Sequence, residues 1–164
     1  MTLRPAVAGD VEFLAELYAD EDVRPFLAAA GGYDADWVRE RIERDPETGG
    51  LVIVEAGGER AGAMVWERTN ERSRIARLGG LAIHPAFRGR RLADEAARQL
   101  PRHVLLERGF HRLELEVSGF NERALAHAER SGFTREGVKR KAYRRADEWV
   151  DGVLFAVIRE DLQP

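Results

Sequence analysis

The sequence predicts one mixed α/β domain across residues 1–164, and three observations lead to that fold class. Residue patterns typical of amphipathic helices alternate with patterns typical of strands along the whole chain. The apolar and charged fractions, 44% and 34%, are those of a globular protein with a buried core. No internal repeat, low-complexity tract or linker interrupts the pattern, and 164 residues fit one domain.

Short helices and strands are predicted for the first half of the chain. The predicted elements are strands at 2–4, 51–55 and 61–67, and helices that begin at Asp10 and at Asp34 or Asp36. Asp10 is a typical helix N-cap, because its side chain can accept a hydrogen bond from the first turn. The glycine pair at 57–58 predicts a hairpin between the last two strands. Small residues at 28–32, including Gly31-Gly32, predict either a hinge or a plain surface connector.

The stretch from Leu78 to Ala93 predicts a site for an anion. An apolar strand at 78–83 ends at His84-Pro85, because proline cannot donate a hydrogen bond to a sheet. A loop with three arginines follows, and a long helical pattern begins after it. First-turn amides have no intrahelical acceptor and the helix dipole is positive there, so phosphate or pyrophosphate is the expected guest. A basic turn that only keeps the loop soluble is the alternative.

A long helix, a short helix and three strands are predicted for the second half. Pro101 lies inside the long helix and is expected to kink or restart it, and Gly109 to end it. Asn121 is expected to cap the short helix, which stops at Ser131-Gly132. The strands are predicted at 111–117, 133–144 and 148–159. The last strand is apolar on both faces, which places it either centrally in a sheet or at a dimer contact.

The residue content argues against several classes of function. Neither Gly-x-x-x-x-Gly-Lys-Ser/Thr nor Gly-x-Gly-x-x-Gly occurs, so nothing supports a P-loop NTPase or a dinucleotide fold. There is no cysteine for disulfides or thiolate chemistry, and the four histidines lack metal-ligand spacing, so no metal is expected. No membrane-length apolar run or signal-peptide pattern is found, and a cytoplasmic location is therefore predicted.

The charge is divided unevenly along the chain, although the net charge is only −3. Residues 1–60 carry 6 basic and 14 acidic side chains, a balance of −8. Residues 61–164 carry 20 and 15, a balance of +5. This division favours a phosphorylated ligand on the second part and a cationic ligand near the first. Nucleic acid is not an expected partner, because the basic residues are not interleaved with exposed aromatic ones.

Four motifs follow one another in the second half of the chain: the loop Arg88–Ala93, the strand Leu115–Val117, Asn121–Ala124 and Ser131–Phe133. In this order they resemble the GNAT family of N-acetyltransferases, and the resemblance runs over about residues 2 to 160. Leu3–Pro5 followed by Asp10, and Gly132–Gly137 with a later Asp151, resemble the ribosomal-protein alanine and serine N-acetyltransferase branch. The resemblance implies a mostly antiparallel twisted sheet of about six to seven strands, flanked by about four helices. It also implies transfer of an acetyl group from acetyl-CoA, as co-substrate, to an amine.

The resemblance assigns cofactor-binding roles to the strand, the loop and the short helix. The backbone of Leu81, Ala82 and Ile83 is expected to pair with the pantetheine arm, and an N–H there to polarise the thioester carbonyl. Residues of the loop and helix start are expected to hold the pyrophosphate: Arg88, Gly89, Arg90, Arg91, Leu92 and Ala93. Asn121 is expected to meet the pantetheine or thiol end, and Arg130 to approach the cofactor.

Arg91 departs from the family pattern, which has its second glycine there. A helix start accommodates arginine sterically, so we expect the fold to be unaffected. Close approach of phosphate to the backbone is what glycine would allow. Either the side chain turns outward and supplies a cation, or cofactor binding is weakened.

The candidate catalytic residues are Glu116 and Ser131. The helix tyrosine that protonates the leaving thiolate in many family members falls at Ala128. Ser131 is a substitute acid, with a helix-ending role as its alternative, and Tyr143 is another candidate. Glu116 is the candidate base, with a solvated or salt-bridged carboxylate as its alternative. Direct attack of the amine in a ternary complex is expected, because no cysteine is present to form an acetyl-enzyme.

The acceptor is left open between two classes of amine. The branch resemblance favours a protein N-terminal α-amine, and the acidic first part of the chain favours a small cationic amine. A homodimer is expected from the family. A non-catalytic acyl-CoA-binding module with the same fold is the alternative function.

Overall fold

The computed structural model describes residues 1–27 and 33–162, so the predicted hinge at Gly31-Gly32 lies outside the described residues. The described strands are β1 (Thr2–Pro5), β2 (Gly49–Ala56), β3 (Glu59–Asn70), β4 (Ile75–Ile83), β5 (Arg112–Ser118), β6 (Thr134–Arg145) and β7 (Glu148–Ile158). The described α-helices are α1 (Val11–Ala19), α2 (Ala35–Glu43), α3 (Leu92–Arg102) and α4 (Glu122–Arg130). None of these helices has the length and apolarity needed to cross a membrane.

The seven strands are hydrogen-bonded in the order β1-β2-β3-β4-β5-β7-β6. The pairs β1–β2, β2–β3, β5–β7 and β6–β7 are antiparallel, and β4–β5 is parallel. This architecture confirms the predicted α/β class and the mostly antiparallel sheet. The residues cluster into an N-terminal unit, Met1–Arg68 with Leu78–Ala96, and a C-terminal unit, Thr69–Arg77 with Ala97–Pro164.

The core of the N-terminal unit forms where α1 and α2 meet apolar side chains of β2, β3 and β4. Its buried members include Leu14, Leu17, Tyr18, Val38, Ile53, Val65 and Ala82. The apolar face predicted for α1 is therefore confirmed, since its residues at 14, 17 and 18 are all buried. Ala82 belongs to this core, so the later part of β4 is fixed by packing.

Two aspartates stand at the N-caps of α1 and α2, but only one of them caps its helix with its side chain. Asp34 Oδ1 accepts from the amide of Trp37 at 2.8 Å, which settles the choice between Asp34 and Asp36. Asp10 is the N-cap residue of α1, as predicted, but its side chain makes no capping bond to the helix. It instead accepts from the Val7 amide at 2.9 Å and from Arg4, because an arginine beside it offers stronger charged donors.

In the C-terminal unit, β7 lies between β5 and β6 in the sheet. Phe155, Ala156 and Val157 are consecutive and all buried, so β7 is covered on both faces. This placement settles the choice between a central strand and a dimer contact for the apolar last strand, in favour of a central one. β6 is largely exposed and stands at the end of the strand order.

The helical segments around Pro101 and Asn121 follow the local signals that predicted them. After Pro101 the α-helical pattern gives way to a π-helix at His103–Glu107, because proline has no N–H to donate. Gly109 follows the end of that segment, as predicted. Asn121 Oδ1 accepts from the amide of Ala124 at 3.1 Å and caps α4. The Ser131 amide donates to the carbonyl of His127 at 3.0 Å and closes the helix.

Candidate functional site

In the N-terminal unit, the connection between β4 and α3 begins with one turn of 3-10 helix. β4 ends at Ile83, and Pro85–Phe87 form the turn. His84 Nδ1 accepts from the amide of Ala86 at 3.3 Å, so the histidine caps this turn. The predicted stop at His84-Pro85 is confirmed. Residues 88–91 then form the loop that precedes α3.

Arg88 fastens this loop to two other parts of the N-terminal unit. Its Nε donates to the carbonyl of Ile83, the last residue of β4, at 3.3 Å. Its guanidinium pairs with Asp22 at 2.9 Å and lies 3.6 Å from Asp20, both in the acidic bend after α1. Two carboxylates thus balance its charge. Arg88 therefore holds the loop in position, and its charge is already balanced rather than free for a ligand.

Arg90 and Arg91 present their charges differently. The Arg90 guanidinium lies 5.1 Å from the centre of the Phe87 ring and 3.5 Å from the carbonyl oxygen of Ala86. The side chain of Arg91 is exposed and has no hydrogen bond or ion pair with any residue that the structure describes. The charge of Arg91 is therefore available to a ligand without breaking any polar contact of its side chain with the described residues.

The backbone of Arg91 corrects one expectation from the sequence. Its φ of +57° is in the left-handed region, and α3 begins one residue later at Leu92. We expected arginine to be accommodated within the helix start. It instead lies before the helix, in a backbone conformation that favours glycine. A side chain there costs about 1 kcal/mol or more relative to a right-handed conformation. Two reasons thus explain the glycine that the family pattern has at this position. Glycine adopts the left-handed backbone without strain, and it lets a ligand approach the backbone closely.

The first turn of α3 supplies further hydrogen-bond donors beside the loop at residues 88–91. The Glu95 amide donates to the Arg91 carbonyl at 3.1 Å and makes the first bond of the helix. The amides of Leu92 and Ala93 precede that bond and, like other first-turn amides, have no intrahelical acceptor. With the unpaired Arg91, they form a set of donors suited to a phosphate group.

A left-handed glycine interrupts β4 immediately before Leu81. Gly80 has a φ of +59°, and its carbonyl oxygen accepts from the hydroxyl of Tyr18 at 2.8 Å. Leu81, Ala82 and Ile83 follow this irregularity and complete the strand. The sequence indicated Tyr18 only as a core residue of α1. The glycine pair at 79–80 inside a strand was the signal that could have drawn attention to this contact.

In the C-terminal unit, Glu116 of β5 lies in a cluster with Lys139 and Tyr143 of β6. The Lys139 Nζ donates to Glu116 Oε2 at 2.9 Å, which is the salt bridge considered as the alternative to catalysis. The hydrogen bond with Glu116 raises the pKa of Tyr143, and burial adds to that effect. Glu116 Oε1 is buried and has no hydrogen-bond partner within the described residues. One carboxylate oxygen is thus still able to accept a proton or a hydrogen bond.

A bulge in β6 and a glycine in β7 make room for this cluster. The register between β6 and β7 shifts between Lys139 and Tyr143, and the Lys141 amide donates to Asp151 Oδ1 at 2.7 Å. A Cβ at Gly152 would overlap Glu116 Oε1 and lie 2.8 Å from Tyr143 Cε2. The absence of a side chain at Gly152 therefore lets the carboxylate and the ring meet.

The remaining predicted residues lie on or beside α4. Ser131 Oγ is 3.5 Å from His127 Nε2, and no hydrogen bond among the described residues links Ser131 to Glu116. Asn121 uses Oδ1 for its cap, and Arg130 is exposed at the last position of α4. Ala128 is buried, so no hydroxyl stands where the family has its tyrosine. Nowhere in residues 1–27 and 33–162 do three His, Asp or Glu side chains converge as metal ligands.

An acidic pocket lies at the end of α1 in the N-terminal unit. Its volume is about 560 Å³, and its lining residues are Glu16, Ala19, Asp20, Glu21 and Asp22. Asp20 and Asp22 are engaged with Arg88. Glu16 and Glu21 are the lining carboxylates that Arg88 does not balance, and their negative charge on this open surface pocket attracts a cationic amine.

Comparison with known proteins places the chain in a family. Residues 1–134 match the family described as Acetyltransferase (GNAT) domain. A curated relative from Bacillus subtilis, the SPbeta prophage-derived uncharacterized N-acetyltransferase YokL, is 27% identical over 128 residues, 78% of this chain and 71% of the relative.

Solved structures agree on the fold. The spermidine N-acetyltransferase from Vibrio cholerae in complex with CoA and spermine has a TM-score of 0.85 and 18% identity, covering 98% of this chain and 96% of that one. The spermidine/spermine N-acetyltransferase from the same organism in complex with manganese ions has a TM-score of 0.78 and 18% identity, with coverage of 97% and 92%. Since the family match spans most of its length, the chain belongs to the GNAT acetyltransferase family and is an acetyl-CoA-dependent N-acyltransferase.

Proposed function

We propose that this enzyme acetylates a small cationic amine by direct attack of the amine on acetyl-CoA. The acidic pocket of Glu16, Asp20, Glu21 and Asp22 is the observation that carries the choice of acceptor. The related folds named for spermidine and spermine acetylation support the same class of substrate. A protein N-terminal α-amine, the acceptor of the ribosomal-protein branch, is the second candidate, and the opening motif Leu3–Pro5 with Asp10 favours it.

The residues at the β4–α3 connection fit the pyrophosphate of acetyl-CoA. The amides at the start of α3 are donors, and Arg91 adds a cation that the described residues leave unpaired. We assign Gly89, Arg90, Leu92 and Ala93 to the same binding segment and Arg88 to holding it in place. Acetyl-CoA supplies the acetyl group as an activated thioester. The backbone of Leu81–Ile83 is proposed to hold the pantetheine arm, with the Leu81 amide directed at the thioester carbonyl.

The proton transfers are proposed to involve Glu116 and Ser131. Glu116 is the proposed base, acting through water, and its Oε1 has no hydrogen-bond partner within the described residues. Ser131 is the proposed donor to the leaving thiolate, and Tyr143, in the cluster with Glu116, is the alternative donor. Asn121 and Arg130 are proposed cofactor contacts from α4. The homodimer and the cytoplasmic location also stay predictions.

The acceptor proposal predicts a charge-dependent loss of affinity for polyamines. Glu16→Gln and Glu21→Gln each remove one negative charge from the pocket without removing an ion pair that fixes the loop. Each is expected to raise the KM for spermidine by about twofold to fivefold, the usual value of an exposed charge pair. The KM for a monoamine such as butylamine is expected to change less than the KM for spermidine. Steady-state kinetics with both amines measures the difference.

Glu12→Gln is the matched control, because Glu12 lies on the same helix and does not line the pocket. It is expected to leave the KM for spermidine unchanged. If all three substitutions changed the KM for spermidine equally, the pocket would not be the acceptor site. Faster acetylation of a peptide with N-terminal alanine than of any small amine would favour the ribosomal-protein branch. Tight binding of acetyl-CoA with no turnover on either class of amine would favour the non-catalytic alternative.

Arg91→Gly is expected to separate the two consequences of arginine at this position. Glycine relieves the left-handed backbone, and we expect the free energy of unfolding to rise by about 1 kcal/mol. It also removes the unpaired cation, and the affinity for acetyl-CoA is expected to fall by about fivefold. Thermal unfolding measures the first change and calorimetric titration the second. Arg91→Ala is the control, since it removes the charge but keeps the strained backbone, and it should lose affinity without gaining stability. Tighter binding by the glycine variant would mean that arginine obstructs the cofactor.

A further inference from the structure

We infer that Tyr18 is a positioning residue, whose hydroxyl fixes the direction in which the backbone N–H of Leu81 points. This inference rests on the proposed function, in which that N–H polarises the thioester carbonyl. Tyr18 belongs to α1, more than sixty residues earlier in the chain, and its hydroxyl donates to the carbonyl oxygen of Gly80 at 2.8 Å. No role for Tyr18 beyond core packing follows from its place on α1.

The geometry of one peptide unit connects the two groups. The carbonyl of Gly80 and the N–H of Leu81 belong to the same planar peptide, and no peptide bond in the described residues is cis. In a trans peptide the C=O and N–H point in opposite directions. A hydrogen bond that holds the Gly80 oxygen towards Tyr18 therefore holds the Leu81 N–H on the side away from Tyr18.

The peptide needs such a bond because the backbone at Gly80 is in a conformation that β-strands do not adopt. With φ at +59°, Gly80 departs from the regular strand, so the neighbouring strand alone does not determine the orientation of the peptide after it. A Cβ at position 80 would lie 3.1 Å from the Tyr18 hydroxyl oxygen and 3.2 Å from Val65 Cγ1. Glycine thus serves both the backbone conformation and the approach of the hydroxyl.

Tyr18 is itself held rigidly. It is 1% exposed, and its ring lies 4.8 Å from that of Tyr33 and meets Trp37 edge-on at 6.4 Å, measured between ring centres. Burial raises the pKa of Tyr18, so its hydroxyl stays protonated and remains a donor. A donor to the carbonyl also polarises the peptide, which makes the N–H of Leu81 a stronger donor in turn.

The test is Tyr18→Phe, which keeps the packed ring and removes only the hydroxyl. We expect kcat to fall by about tenfold, less than the loss of a whole oxyanion donor, because the N–H is misdirected rather than removed. The KM for the amine and the Kd for acetyl-CoA are expected to stay within about twofold. Tyr33→Phe is the matched control, since it removes a hydroxyl from the same aromatic cluster without touching Gly80, and it should leave kcat unchanged.

A readout that does not depend on activity separates this inference from the proposed function. The amide ¹⁵N and ¹H chemical shifts of Leu81, measured by NMR on the full chain, are expected to move in Tyr18→Phe and to stay in Tyr33→Phe. An unchanged Leu81 amide would overturn the inference. A shifted amide with unchanged kcat would support the positioning by Tyr18 and would overturn the proposed role of the Leu81 N–H in catalysis. An equal fall of kcat in both variants would show a role in packing only.

A second variant covers the case in which Tyr18→Phe does not fold. Fluorotyrosine at position 18 keeps the ring and makes the hydroxyl a stronger donor. The bond to the Gly80 carbonyl is then strengthened, so the Leu81 amide shifts are expected to move in the direction opposite to their change in Tyr18→Phe. We expect kcat to rise by about twofold. An unchanged Leu81 amide and kcat in that variant would overturn the inference.

Discussion

Replacing Gly62 by alanine is expected to displace the end of β4 and to lower the free energy of unfolding by about 3 kcal/mol. A Cβ at this position of β3 would overlap the carbonyl oxygen of Ala82 and lie 3.2 Å from the Cα of Ile83. Both of these are backbone atoms, so neither can rotate away as a flexible side chain can. The strand that holds them must move instead.

The consequence extends to the cofactor, because Ala82 and Ile83 are proposed to bind it through their backbone. We therefore expect Gly62→Ala to weaken acetyl-CoA binding by at least tenfold, as a displacement of about 1 Å is costly for a positioned site. Urea unfolding and calorimetric titration measure the two effects. Gly9→Ala is the control, since an added Cβ there meets nothing within 4 Å, and its stability should stay within about 0.5 kcal/mol. A Gly62 variant as stable as that control would show that β4 adapts easily.

The elements that could be predicted are those whose signals are local. The helix α4 begins after Asn121 and ends before Ser131, as predicted, because a cap and a helix end depend on residues within one turn of the chain. Pro101 changes the hydrogen-bond pattern of its helix because the ring removes a donor wherever it stands. The continuous apolar run of β7 predicted burial on both faces, and only the strand order shows which neighbours cover it.

What the sequence did not predict depends on contacts between distant residues. The left-handed backbone of Arg91 lies in a loop that Arg88 ties to Asp22 and Ile83, and no local pattern contains those contacts. The bond from Tyr18 to Gly80 joins a helix to an irregular strand sixty-two residues away. A tyrosine on an apolar helix face is typical of a core residue, so its hydroxyl gave no separate signal.

The Glu116 cluster shows the same limit for a candidate catalytic residue. Alternation along β5 indicated which face Glu116 occupies, but not that Lys139 and Tyr143 share that face. Their placement depends on the β6 bulge, where Lys141 adopts a φ of +48° and its amide is held by Asp151. A bulge changes the alternation of side chains, so the strand pattern alone cannot locate them.

Asp10→Asn is expected to lower the free energy of unfolding by about 2–3 kcal/mol, or the Tm by roughly 5–10 °C. The Asp10 side chain is 4% exposed and accepts two hydrogen bonds from Arg4, at 2.7 and 3.0 Å, and one from the Val7 amide at 2.9 Å. Asparagine removes the charge and places an NH₂ donor where an acceptor stood. Arg4 or the Val7 amide then faces another donor in a buried site, which water cannot relieve.

Asp36→Asn is the control for this substitution. Asp36 pairs with Arg39 at 2.6 Å, but its side chain is 92% exposed, so the stability is expected to change by less than about 0.5 kcal/mol. A loss at Asp10 as small as the loss at Asp36 would mean that the pair with Arg4 does not stabilise the fold. Urea unfolding of the two variants at neutral pH decides between these results.

The stabilisation by Asp10 is also expected to depend on pH in one direction. Its hydrogen bonds with Arg4 hold the pKa of Asp10 below its ordinary value in the folded protein. In acid the unfolded chain therefore takes up a proton at this carboxyl before the folded protein does. The stability that Asp10 contributes is fully present above about pH 4, the pKa of an unperturbed aspartate, and is lost as the pH falls through the lower folded value. The difference between wild type and Asp10→Asn should consequently be constant near neutrality and shrink in acid, and a difference that grows in acid would contradict the assignment.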